Sequence, residues 1–109
     1  MPKSKPKDDY YYVGGMLRDE LILAIDSLDW GETTKAQAAK IKAALQSAAP
    51  HRKGYLFDTD GWRWEDFDFL KSVLVDIVVE DFGHDAMSRG FSVGNTPFGR
   101  QIRALREKL

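Results

Sequence analysis

Apolar residues recur along the chain with different periods, and each period predicts an element. Leu17, Leu21, Ala24, Ile25 and Leu28 follow one another at helical spacing and share one face of a first helix, whose other side carries Asp19, Glu20, Asp26 and Asp29. Gly31 ends that pattern. Thr34 with Gln37 three residues later reads as a capping box. The stripe Ala38, Ile41, Leu45 and Ala48 then predicts a second helix from about Lys35 to Ala49, stopped by Pro50. Its mostly small side chains let a neighbour approach closely.

The period changes over HRKGYLFDTDGWRW. Tyr55 and Phe57 alternate with Leu56, Trp62 and Trp64 flank Arg63, and Asp60-Gly61 between them has turn chemistry, which allows a short β-hairpin near residues 53–64. Asp60 can also cap a third helix, and both readings hold if that helix starts near Glu65. Phe67, Leu70, Leu74, Ile77, Val78 and Phe82 continue for too long to be an ordinary strand. Within them VLVDIVV is apolar nearly all round, so it needs neighbours on most sides and is expected to be the central helix of the core. A short helix over His84 to Arg89, closed by Gly90, comes next. Asn95-Thr96-Pro97 then supplies a cap and a proline at the first position of a last helix, Pro97 to about Lys108.

The expected fold class is therefore mainly α: a small single-domain helical bundle of four to five helices, with the hairpin as an addition. A chain of 109 residues, 43% of them hydrophobic, can bury one core. Residues 10–109 are expected to form that domain, and residues 1–9 a flexible basic arm, because Lys3, Lys5 and Lys7 alternate with Pro2, Ser4 and Pro6 and have nothing to bury.

Charge changes the picture more than composition does. The formal net charge of −1 conceals alternating blocks: +3 over residues 1–7, −6 over 8–32, +5 over 33–53, −7 over 54–85 and +4 over 86–109. The basic second and last helices either lie together as one positive face, which would suit a polyanion, or each packs beside an acidic helix and is neutralised.

Several chemistries are poorly supported. The chain has no cysteine, hence no disulfide, thiol nucleophile or thiolate metal site. No apolar run is long enough to span a bilayer or to follow MPKSKPK as a leader, so a soluble, cytoplasmic protein without membrane partners is expected. DTDG at 58–61 resembles the start of a calcium loop, but Arg63 stands where that loop needs glycine. Glu80, Asp81, His84 and Asp85 have metal-ligand spacing, yet Gly83 interrupts the helix that would align them, and a solvated helix end accounts for them. His51 reads as surface loop. With no nucleophile elbow or glycine-rich phosphate loop, no catalytic residue, cofactor or metal is expected, and the protein is read as not an enzyme.

Binding residues are better supported. Lys35, Lys40, Lys42, Arg52 and Lys53 form the central basic block, and Arg100, Arg103 and Arg106 make an outward row on a last helix docked by Phe98, Ile102, Leu105 and Leu109. Tyr10, Tyr11 and Tyr12 beside the basic arm, and Trp62 and Trp64 beside Arg63, could stack on bases or fill a partner's pocket. The three tyrosines cannot all point inward, so one or two are expected to be exposed, and Tyr10, Tyr11 and Trp62 are the candidate site residues. Locally, NTPFGRQIRAL resembles a stretch in the DNA-binding end domains of phage and plasmid primases, where a Phe-Gly-Arg run opens a helix. That resemblance covers about residues 82–109 and would imply a helix offered to a groove; the turn at 90–95 is longer than usual and the β-wing is lacking, so the family is not adopted.

The expected function is a small non-catalytic binding or regulatory protein whose basic regions engage nucleic acid or a nucleic-acid-bound protein complex. The alternative is a protein-only adaptor or inhibitor, of the mobile-element or phage counter-defence type, acting through aromatic and acidic surfaces. A homodimer is compatible with either.

Overall fold

The computed structural model of the protein describes residues 10–27, 31–89 and 93–109. Leu28, Asp29 and Gly90, read above as helix-face and helix-end residues, and the basic arm lie outside the described residues, as do Phe91 and Ser92.

Eight elements follow in the order β1 (Tyr10–Gly14), α1 (Gly15–Ser27), α2 (Glu32–Gln46), β2 (Ala49–His51), β3 (Gly54–Asp58), α3 (Trp64–Phe82), α4 (His84–Ser88) and α5 (Pro97–Lys108). The domain is mainly helical, and it also contains a small antiparallel sheet in the order β1-β3-β2. Tyr11 pairs with Phe57 and Val13 with Tyr55 across β1 and β3, while His51 pairs with Gly54 across β2 and β3.

Two expectations are corrected here. The hairpin is not built on Asp60-Gly61: its tight turn is Arg52-Lys53, its strands are β2 and β3, and Trp64 begins α3. The second helix starts and ends about three residues early, at Glu32 and Gln46, because Gly31 rather than Thr34 is its N-cap and the chain after Ser47 extends into β2. Gln37 is therefore free of the capping role and reaches α3 instead.

The sheet alternates sharply. Tyr11, Val13 and Phe57 are buried, whereas Tyr10 and Tyr12 face outward from the same strand. Helices α1 and α2 pack on β3, α1 and α5 on β1. An aromatic cluster joins the sheet's inner face to the start of α3, with Tyr11 5.8 Å from Phe57 and 5.7 Å from Phe67, and Trp62 5.0 Å from Phe67 between ring centres. Helix α3 is the central helix, as its pattern predicts: Phe67, Leu70, Leu74, Ile77 and Val78 are buried against α1, α2 and α5. It ends at Gly83, whose φ of 88° suits glycine and separates it from α4. Thr96 caps α5 by accepting from the Gly99 N–H at 3.1 Å, with Pro97 next, as read from sequence. Ile102 and Leu105 anchor that helix in the core, and Phe98 is half-buried, stacked on Phe82 at 6.4 Å.

Candidate functional site

The cations of α2 are largely consumed by the fold. Lys40 donates from Nζ to Asp66 Oδ2 at 2.7 Å and to the Gly61 carbonyl at 3.3 Å, and Gln37 donates to Asp66 Oδ1 at 3.0 Å. Asp66 also accepts from the Arg63 N–H at 2.9 Å, so one buried carboxylate caps α3, ties α2 to it and holds the loop between β3 and α3. Burial pushes the Asp66 carboxyl up, but the hydrogen bonds from Lys40, Arg63 and Gln37 and the Lys40 charge outweigh that, and it sits below its ordinary value of 3.8. Lys42 pairs with Asp26 on α1. Helix α2 thus lies between the acidic helices α1 and α3, and of its three candidate lysines Lys40 and Lys42 are engaged with their carboxylates; Lys35 is exposed in the first turns.

A second set of cations is arranged differently. Arg52 and Lys53 occupy the two-residue turn between β2 and β3. A shallow recess of about 380 Å³ is lined by Tyr12, His51, Arg52 and Leu56. Beside it a second, of about 430 Å³, is lined by Tyr12, Gly14, Lys53, Pro97, Arg100, Gln101 and Ala104. Tyr12 belongs to both, and among the described residues no carboxylate lines either. The end of β1 is held to α5: Gln101 lies over Gly14, its Oε1 accepting from the Leu17 N–H at 3.0 Å at the start of α1.

Arg52 has a φ of 57°, a left-handed conformation that two-residue hairpin turns ordinarily give to glycine or asparagine. A long cation therefore stands where the backbone favours a residue without one.

On α5, Arg100, Arg103 and Arg106 are exposed as expected, but the row does not act as one. Arg100 donates to the Asn95 carbonyl at 2.8 Å and Arg103 to the Gly94 carbonyl at 2.9 Å, so both fold back on the loop that precedes the helix. Of the three, Arg100 lines the recess with Lys53.

The aromatic candidates need correction. Tyr11 and Trp62 are core residues, 1% and 5% exposed, and present no ring to a partner. Tyr10 is exposed as expected. Tyr12, grouped with the other two tyrosines in the sequence but not among the candidate site residues, is exposed as well, because the first and third residues of the strand share a face. Sequence reasoning also passed over Arg18, which donates to the Leu45 and Gln46 carbonyls at the end of α2 and lies over the Tyr55 ring at 4.2 Å, a structural use of a cation.

A groove of about 560 Å³ between α1 and α3 is lined by Leu23, Ala24, Ile77 and Val79 together with the acids Glu20, Asp76, Glu80 and Asp81. Among the described residues no three His, Asp or Glu side chains are grouped to hold a metal ion, and no helix is long and apolar enough to cross a membrane. Set against protein-family models, curated proteins and solved structures, the chain matches none.

Proposed function

We propose that the protein is a small non-catalytic binding protein that engages nucleic acid, free or within a nucleoprotein complex, through the surface formed by the β2–β3 turn and the start of α5. The supporting observation is the convergence of Arg52, Lys53 and Arg100, from two separate parts of the chain, around the exposed Tyr12, with no carboxylate among the described residues that line the recesses. Phosphate contacts by such cations release counterions, so affinity should fall steeply with salt. The basic residues that matter are then fewer than the sequence implies: Lys40 and Lys42 hold helices together.

The test is fluorescence anisotropy of labelled oligonucleotides against the full chain at low and raised salt. Replacing Arg52, Lys53 and Arg100 by alanine should lower affinity at least tenfold and reduce the log–log salt slope by roughly 2, while the melt stays within about 1 kcal/mol of the parent. Failure of both a single strand and a duplex to bind at low salt would exclude the reading.

A protein-only adaptor is the second reading, and a different observation favours it. Leu23, 58% exposed, lines the groove between α1 and α3 together with four carboxylates, where a basic, apolar segment of a protein partner would fit. On that reading Leu23→Glu removes a captured partner and the triple alanine variant does not.

A further inference from the structure

We infer that the occupant of the basic surface is a single-stranded nucleic acid whose bases stack on Tyr12 and Tyr10, a refinement that rests on the reading of that surface as a nucleic-acid site. The two rings stand on the outer face of β1, 38% and 57% exposed. Alternate residues of a strand are about 6.8 Å apart, twice the roughly 3.4 Å step between stacked bases along one strand of a duplex. That interval suits bases drawn apart, one per ring.

Tyr12 is already positioned. Its ring lies across Gly54 on the neighbouring strand, where an added Cβ would come within 2.6 Å of the phenol oxygen and 2.7 Å of Cζ. His51 meets it edge-on at 6.1 Å and 74°. Glycine at 54 thus lets the ring sit low on the sheet, and a pre-set ring loses little freedom when a base covers it.

The charges fix which side the phosphates take. Arg52, Lys53 and Arg100 adjoin Tyr12 at the Gly14 end of β1, whereas an acid, Asp58, pairs with Tyr10 at the other end and accepts from the Asp60 N–H at 2.9 Å. The backbone accordingly runs along the turn and α5, with the bases laid over the sheet. A paired duplex offers no free base faces, and its major groove admits a helix or a two-stranded ribbon rather than a sheet face three strands wide. Stacking and charge do not distinguish sugars, so ribo- and deoxyribo-strands should bind alike.

The experiment compares probes of one length, about ten nucleotides: oligothymidylate, oligouridylate, a strand of the same charge made of abasic sites, and a mixed-sequence duplex. The base-bearing strands should bind about tenfold or more tighter than the other two. Tyr10→Ala and Tyr12→Leu should each weaken them about fivefold with an unchanged salt slope, and Tyr12→Phe should retain binding. Tyr12→Leu keeps an apolar cover on Gly54; should it nonetheless melt early, Tyr10→Ala decides alone. Equal affinity for the abasic strand or the duplex overturns the stacking inference and leaves the basic site standing, whereas no binding by any probe removes both.

Discussion

Helix α2 and the β2–β3 turn belong to the same basic block of the sequence, yet the fold puts their cations to opposite uses. Lys40 is fastened to a buried carboxylate on α3 and Lys42 to Asp26 on α1. Arg52 and Lys53, ten and eleven residues after Lys42, border recesses that no carboxylate among the described residues lines. Sequence charge counts cannot separate the two cases, because what decides them is which acidic element each basic one is packed against. A cation between two acidic helices is a strut, and a cation at the tip of a hairpin is available. The comparison is exposed to experiment at three strengths.

The largest effect should come from the strut. Asp66→Ala leaves the Arg63 N–H, Gln37 and Lys40 without their shared acceptor and uncaps α3, which should cost about 3 kcal/mol in urea unfolding. Asp66→Asn keeps an acceptor and should cost less. Oligonucleotide affinity of the folded fraction should be unchanged in both, since Lys40 is not at the proposed site. A binding loss beyond its stability loss would show that α2 belongs to the interface.

Acid provides a second, smaller test of the same strut. The folded state holds the Asp66 carboxyl below 3.8, so its contribution is fully present above the ordinary carboxylate range and is lost as pH falls through the lowered value. Between pH 6 and pH 3 the parent should therefore lose more stability than Asp66→Asn, which has nothing to protonate there. Parallel melting curves for the two would mean that the network is weaker than its distances imply.

What the sequence disclosed follows from the range of the interactions involved. Helix α3 is legible because its apolar positions repeat over nineteen residues, and the start of α5 because Thr96-Pro97 acts within one turn. Strand β1 is not: Tyr11 is inward only because Phe57, far along the chain, pairs with it, and three identical residues hide the alternation that separates them. The hairpin is misplaced for a related reason. Asp60-Gly61 has the turn chemistry, while the actual turn uses Arg52 in a conformation its side chain disfavours. The division of the cations into struts and free ends is illegible too, since Asp66 reads as one more acid on a polar helix face until its burial against Gln37 and Lys40 is known.

That departure at the turn yields the smallest effect and the one with the opposite sign. A left-handed backbone costs a residue with a side chain roughly 1–2 kcal/mol, and glycine escapes that cost while giving back about 0.5–1 kcal/mol through its freer unfolded chain. Arg52→Gly should therefore raise stability by up to about 1.5 kcal/mol. It should at the same time weaken nucleic-acid binding and lower the salt slope by about 0.7, the share of one phosphate contact on a single strand. Arg52→Asn, which also tolerates the conformation, should behave similarly, and Arg52→Lys should restore binding without the gain in stability. Stability and binding moving in opposite directions at one residue is what an available cation predicts and a strut does not. If Arg52→Gly instead destabilises the domain, the arginine is holding the turn together and the contrast with Lys40 collapses.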